Sequence, residues 1–479
     1  MSTETAHEHG IDTSWPVQYL QDHAVHIAVV LFFVAYPFLY DFLVETFALT
    51  AQMLLPQPRT MLTILALGLF AMSFDFISGY TGYLSFGHAA FFGIGAYFVV
   101  LAYNGQLPGV PAEMSFMTLM VLGAVVATVF ALLIGLLAFR LSGVYFAMIT
   151  LGIAEIMFVI ASHWDYLTPG QADPRDGTAA GSPADVALFE PSIGVPFVDS
   201  LQADVHPSFG DEVFLGIDFG DPVIVAYFTI GVIVLICYFL MQRIIHSPFG
   251  RVMIAIRENE ERAKAIGYNV FYYKIGAFMI SAFFGAIAGA LLVAIEGTAA
   301  PDTTLFFLVT GFALVAAIIG GLGTLAGPFF GYIFLEGVEE FLSREASGGG
   351  LQPWLEAVLP GGVLESSIGD FTVADAMDAF MTGHGEFYAG IIFVLFVLFV
   401  PIGMLGTLRL YLGSPSVAKY VSGRIDRFRG IQRGTDASAG GGAALEEKGE
   451  PEDVEKSTST AKAEGTGGGD KTADIEENE

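Results

Sequence analysis

Cysteine, tryptophan and positive charge are what this chain has least of: one Cys, three Trp and 20 Lys or Arg among 479 residues. A lone Cys237 can form no intrachain disulfide, so no covalent staple holds the fold. It lies inside an apolar run and reads as packing. Charged residues of either sign make up only 14% of the chain, against 54% hydrophobic ones. A water-soluble domain of this length needs far more charge on its surface, so the apolar excess must face something other than water. The few charges are also unbalanced, 49 acidic against 20 basic for a net of −29, which argues against a nucleic-acid partner. The sequence holds no HExxH, no nucleophile elbow and no paired metal-ligand spacing, so neither a catalytic residue nor a metal is assigned.

What the chain does have is apolar blocks of the length a helix needs to cross a bilayer. They run near 24–44, 60–77, 84–103, 115–139, 142–161, 222–241, 274–296, 306–326, 329–343 and 387–408. The expected fold is an all-α integral membrane protein, a bundle of about ten spans with the lipid bilayer as solvent, some of them broken or re-entrant. The polar stretch 1–23 has no basic start, so the first apolar block reads as an anchor rather than a cleaved signal. A break is expected at Gly320-Gly321-Leu322-Gly323-Thr324, which divides a run too long for one helix. The piece after it carries Glu336, Glu339 and Glu340 and is expected as a half-span buried against neighbours. The turn at Arg140-Leu141-Ser142 is too short for a comfortable connection, which suggests a broken span there.

Charge orients the bundle. Segment 162–221 holds eleven acids and one basic residue, Arg175; segment 342–386 holds seven acids and Arg344. By contrast, 242–274 carries Arg243, Arg251, Arg257, Arg262, Lys264 and Lys274, and the stretch after the last span is also basic. The positive-inside bias places 242–274 and the C-terminus in the cytoplasm and both acidic segments outside, with the N-terminus inside by parity. Residues 24–410 form the membrane domain, and 411–479 form a basic, then acidic tail expected to be disordered. The acid lies in loops and tail. That balance fits a high-salt setting in which carboxylate repulsion is screened, or more plainly an acidic loop and tail. Within the tail, Gly465–Thr472 superficially matches a phosphate-binding loop, but Asp470 stands where glycine is required. The chain therefore carries no nucleotide site of its own.

The most informative polar stretch is 247–267. Pro248 and Gly250 punctuate its start, and Gly267 suits a helix C-cap. Val252, Ile256, Ala263 and Ile266 are apolar among charged neighbours. Such a helix can dock in a partner's groove or rest on lipid headgroups, and composition alone fits either. Its spacing says more. Glu261-Arg-Ala263-Lys-Ala-Ile-Gly267 fits the Glu-x-Ala-x-x-x-Gly pattern by which permeases of ABC importers engage their ATPase subunits.

Here the chain resembles the branched-chain amino-acid ABC-transporter permeases. Gly79–Tyr97 (GYTGYLSFGHAAFFGIGAY) is similar to that family's most distinctive stretch, and Ser142–Leu151 with Glu155 and Gly320–Pro328 follow in the family's order. The likeness covers roughly residues 60–410. It implies a permease subunit with two ATPase subunits bound at 247–267, a second homologous permease and an extracellular substrate-binding protein. No cofactor is expected on this chain itself, ATP-Mg belonging to the partners. For ATPase coupling it points to Arg257, Glu258, Asn259, Glu260, Glu261, Ala263 and Gly267. Departures from the family pattern are Asp75 where an amide is expected, no carboxylate in 307–314, and a longer outer segment at 171–221.

Inside the spans, Asp75, His88 and Glu155 are the ionisable groups, and with Ser85 and Gly87 they are candidates for the substrate pathway. His88 and Glu155 suit a place beside the pathway or an interhelical hydrogen bond better than substrate contact. Gly79, Gly82, Gly93, Gly95, Gly320, Gly321 and Gly323 suit either broken helices or close packing. The alternatives are a urea or short-amide permease of the same family and an ion-coupled secondary transporter. A membrane-embedded enzyme ranks below both.

Overall fold

In a computed structural model, the described residues are 27–42 in part, 56–163 apart from 112, 113 and 142, and 222–343 apart from 298, with 367–368, 371–372 and 385–411 apart from 401. The expectations for 1–23, for most of 162–221 and 342–386, for Ser142 and for the tail beyond 411, Gly465–Thr472 included, fall outside them. Among the described residues the fold is all-helical but for a two-residue antiparallel pairing of β1, Ser367–Ile368, with β2, Phe371–Thr372.

The helices are α1 (Val29–Tyr40), α2 (Pro58–Thr81), α3 (His88–Tyr103), α4 (Phe116–Ala138), α5 (Val144–His163) and α6 (Pro222–Ile245). Next come two short ones, α7 (Pro248–Glu258) and α8 (Glu260–Ala265), then α9 (Val270–Glu296) and the single turn α10 (Pro301–Thr304). The last are α11 (Phe307–Gly320), α12 (Gly327–Ser343), α13 (Gly385–Phe399) and α14 (Met404–Tyr411). Among the described residues seven helical segments are long and apolar enough to cross a membrane, α10–α11 and α13–α14 each counting as one; α1 and α3 are shorter apolar helices.

The ends of these helices follow from their residues. Proline at the first position of α2 and of α7 has no N–H to leave unpaired. Gly82 and Gly297 close α2 and α9 in the left-handed conformation, at φ +78 and +74. The break at 321–326 stands where the sequence places it, with Gly321 at φ +113 and Gly323 at φ +79. The turn near Arg140 breaks no span. α4 and α5 run uninterrupted on either side, because Leu141 N bonds Ala138 O at 3.1 Å and Gly143 takes φ +63. α12 is a 17-residue helix, about 25 Å long at 1.5 Å per residue, and is not among the seven segments long and apolar enough to cross a membrane. Its Glu340 accepts from Thr60 Oγ1 at 3.1 Å and Gln57 N at 3.3 Å, so that carboxylate sits by the start of α2.

α9 is the central helix, packed against α2, α3 and α4. Small residues let it approach α3 backbone to backbone: a Cβ on Gly95 would collide with the Ala286 carbonyl, and one on Gly289 with the Phe92 carbonyl. Gly93 likewise lies under the Leu305 side chain, and a Cβ on Gly320 would strike the Gly327 carbonyl across the break. α1 closes the opposite flank, its Phe33 ring stacked on Tyr227 of α6 at 4.9 Å and its carbonyl accepting from Tyr227 Oη at 2.8 Å.

Candidate functional site

The segment 247–267 is two helices, not one. Asn259 adopts an extended conformation, φ −161 and ψ 102, and caps both. Its N–H bonds Ala255 O at 3.0 Å, ending α7, and its Oδ1 accepts from Arg262 N at 2.9 Å, starting α8. At the far end Gly267, at φ +101, donates to Lys264 O at 2.9 Å, and Tyr268 N reaches Ala263 O at 3.2 Å. This pair of bonds is the Schellman closure expected of a glycine C-cap.

Two separate ties hold the segment to the spans. Arg257 Nη1 donates to Gly79 O in the last turns of α2, and its stem packs at Gly82. The second tie is a closed triangle. Lys274 Nζ, at the start of α9, donates to Tyr83 Oη and pairs with Glu260 Oε2 at 2.7 Å, while Tyr83 Oη donates to the same oxygen at 2.7 Å. Lys274 Nζ also lies 4.2 Å from the Tyr83 ring centroid, and Lys264 adds a 3.1 Å contact to Glu260. A small apolar cluster of Val252, Ile256, Ala263 and Val270 fills the space beneath. Burying its valine and isoleucine side chains stabilises by about 1.5–3 kcal/mol each where water is the alternative.

Burial would raise the Glu260 carboxyl, but the hydrogen bonds from Lys274, Tyr83 and Lys264 outweigh it and draw the group down to about 2. Tyr83 moves upward from the ordinary tyrosine value, by burial first and then by its bond to Glu260. Because the folded value of Glu260 lies below the unfolded one, its contribution is complete above about pH 4.5 and is lost as pH falls towards 2. Hydrogen exchange across 260–268 should therefore be insensitive to this group between pH 5 and 8, after correction for intrinsic rates. In Lys274→Met the same amides should open more easily by about 1–3 kcal/mol, the usual loss for a hydrogen bond to a charged group. Unchanged protection in that variant would show that the triangle does not hold α8.

The segment's outward face is left to water. Glu261 has an 85% exposed side chain, and Ile266 is 70% exposed. Of the four apolar residues noted in this stretch, Val252, Ile256 and Ala263 are buried and Ile266 is open. Ala263 packs against Val252, Ile256 and Val270. Glu258 and Asn259 face outward beside an open cleft lined by Tyr83, Phe86, Val144 and Ala147.

Of the residues proposed for a substrate pathway, Ser85, Gly87 and His88 lie within one four-residue stretch, while Asp75 and Glu155 stand on α2 and α5. His88 is enclosed by Phe74, Phe91 and Phe278, and its Nε2 meets Ser281 Oγ at 2.6 Å. Since Ser281 Oγ donates to Ser73 O, it accepts from His88, which places the imidazole proton on Nε2. His88 therefore makes the interhelical hydrogen bond foreseen as one of its roles. Ser85 is buried with its Oγ unpartnered, and a Cβ on Gly87 would press on the Thr150 carbonyl. Glu155 stands apart on α5, half-buried, beside an open surface at Gly152. Asp75 belongs to the other end of the problem: its Oδ1 accepts from Gly323 N at 2.8 Å, at the 321–326 break. Lys274, Tyr83 and Tyr80, whose Oη accepts from Leu325 N at 3.0 Å, were not singled out from the sequence. Tyr80 and Tyr83 lie inside the Gly79–Tyr97 stretch, which was the available signal.

A multi-pass helical bundle with a pinned, charged, outward-facing segment between two spans defines a polytopic membrane protein. The chain belongs to the family described as branched-chain amino acid transport system / permease component, whose model matches residues 59–365. It is 30% identical over 263 residues to the high-affinity branched-chain amino acid transport system permease protein LivM of Salmonella typhimurium, covering 54% of this chain and 56% of that one. The Escherichia coli protein of the same name is 29% identical over the same length with the same coverage. A probable branched-chain amino acid transport permease protein of Methanocaldococcus jannaschii is 33% identical over 103 residues, 21% of this chain and 29% of that one. The match thus spans only about half the length of the first two relatives. No solved structure matches the chain.

Proposed function

We propose that this chain is the translocation subunit of an ATP-binding-cassette importer for branched-chain or other hydrophobic amino acids. The observation that carries the reading is the 247–267 segment: tied to α2 and α9 on one side, it presents Glu261 and Ile266 on the other. A segment held this way passes displacement to the spans instead of absorbing it. Two ATPase subunits dock there and hydrolyse ATP-Mg, while a second homologous permease completes the pathway. A binding protein outside the cell delivers substrate, both termini lie in the cytoplasm, and this chain carries no reactive centre of its own. The partners supply the energy and the permease supplies the two-state element. Arg257, Glu258, Asn259, Glu260, Glu261 and Gly267 form or position the coupling surface, with Ala263 packing it from within.

Mild-detergent purification from native membranes tests the reading, followed by uptake of radiolabelled leucine into liposomes holding the complex and its binding protein. Co-purification of two phosphate-binding-loop proteins and a second permease, with uptake that stops when ATP is withheld, is the expected result. Uptake that ignores ATP but collapses with an ion gradient would replace the importer with an ion-coupled carrier. ATP-driven uptake of urea or a short amide in place of leucine would move the substrate class and leave the mechanism standing.

A further inference from the structure

The carboxyl of Asp75 is fully buried six residues before the end of α2, and only half of it is used. Oδ1 takes the Gly323 N–H at 2.8 Å, whereas Oδ2 is enclosed with no hydrogen-bond partner. One turn further along α2, Gly79 offers its carbonyl to Arg257 of α7. Two glycines make this convergence physically possible. A Cβ on Gly79 would collide with Asp75 Oδ1 and stand 2.7 Å from Gly323 N, closing the gap that lets the break reach α2. Gly323 is at φ +79, and a Cβ there would stand 2.6 Å from Arg257 Nη1. The guanidinium of Arg257 and the carboxyl of Asp75 thus lie on either side of one glycine backbone, with Gly79 bonded to the first and crowded by the second.

We infer that Asp75 is a positioning residue that ties the 321–326 break to the movement of α7. The inference rests on the importer reading above and assigns Asp75 to coupling, away from the substrate pathway. Arg257 draws on the α2 carbonyl, and Asp75 holds Gly323. Displacement of α7 is therefore delivered to the junction of α11 and α12, where two glycines at positive φ turn the chain. The unused Oδ2 is the acceptor the guanidinium gains when α7 moves towards α2. A buried carboxyl facing a cation is far less costly than one alone, which gives the two arrangements different energies and makes the junction bistable.

The test uses the complete importer in liposomes, reading ATP hydrolysed per substrate taken up. Asp75→Asn keeps an oxygen for Gly323 N and removes the charge; Arg257→Gln removes the cation. Each is expected to raise the hydrolysis-to-uptake ratio about fivefold or more, with partner association intact in Asp75→Asn, and the double variant to do no worse than either single. A ratio at the wild-type value in Asp75→Asn, or additive losses in the double variant, would overturn the inference. Arg257 reaches in from an exposed helix, so its variant also allows a readout independent of accumulation at position 75. Hydrogen exchange at 321–325 should quicken about tenfold in Arg257→Gln while 299–305 stays unchanged; equal exchange at 321–325 would likewise overturn it. Wild-type uptake that needs no ATP would defeat the importer reading. ATP-driven wild-type uptake with an unaltered ratio in the variants would defeat only the link.

Discussion

Gly267→Val is expected to abolish most ATP-driven uptake while leaving the protein in the membrane at its normal level. A Cβ at this position would meet nothing within 4 Å, so crowding is not the cause. The cause is the backbone, held at φ +101 by the bonds from Gly267 N and Tyr268 N to the last turn of α8. A side chain in the left-handed region costs about 1–2 kcal/mol, and a β-branched one more. That is enough to unwind a six-residue helix and too little to unfold a bundle held by buried spans. Uptake is therefore expected to fall about tenfold or more, with Gly267→Ala intermediate. Quantitative uptake against immunoblotted protein level measures it. Wild-type uptake in the valine variant would remove this turn from the coupling surface.

Gly289→Val acts in the opposite way, on assembly rather than on coupling. Its Cβ would lie inside the contact distance of the Phe92 carbonyl oxygen, and a neighbouring helix backbone cannot step aside as a side-chain tip can. Gly95 meets the Ala286 carbonyl in the same manner from the other helix, so the two positions form one close crossing of α3 and α9. Overpacking costs about 1–3 kcal/mol in a core that can relax, and this crossing sits where α9 also packs on α2 and α4. The variant is expected to accumulate poorly and to unfold in detergent at a clearly lower temperature. Gly152→Val, at a position with no atom within 4 Å, should change neither. A Gly289→Val protein with normal thermal stability would mean that the helices can separate at little cost.

The crossing shows where sequence reasoning stops. Apolar blocks of about twenty residues announced the spans, because nothing else in a soluble chain accounts for them. The glycines at 320–323 and at 267 announced a break and a cap, because local backbone conformation is a local property. Lateral relations were not legible. α2 and α4 are both apolar enough to span, yet α2 is enclosed by neighbours while Val121, Val125, Val129 and Leu133 of α4 stay open. In lipid an exposed face is as apolar as a buried one, so the periodicity that sorts faces in a soluble helix is missing. For the same reason the bond of Asp75 to Gly323 was not legible: that partner lies 248 positions away and offers only a backbone N–H. Lys274 and Tyr83, separated by 191 positions, gave no pairing signal either.

The division of the 247–267 segment at Asn259 has a mechanical consequence. A strut fastened at one point swivels, and a push on its free face is dissipated in rotation. Here Arg257 fastens one arm to α2 and Glu260 fastens the other to α9, with the joint at Asn259 between the two attachments. Two attachments leave no single pivot, so under the importer reading a load on the outer face is shared between α2 and α9. The two attachments fall within four consecutive residues of the chain, which leaves little slack between them.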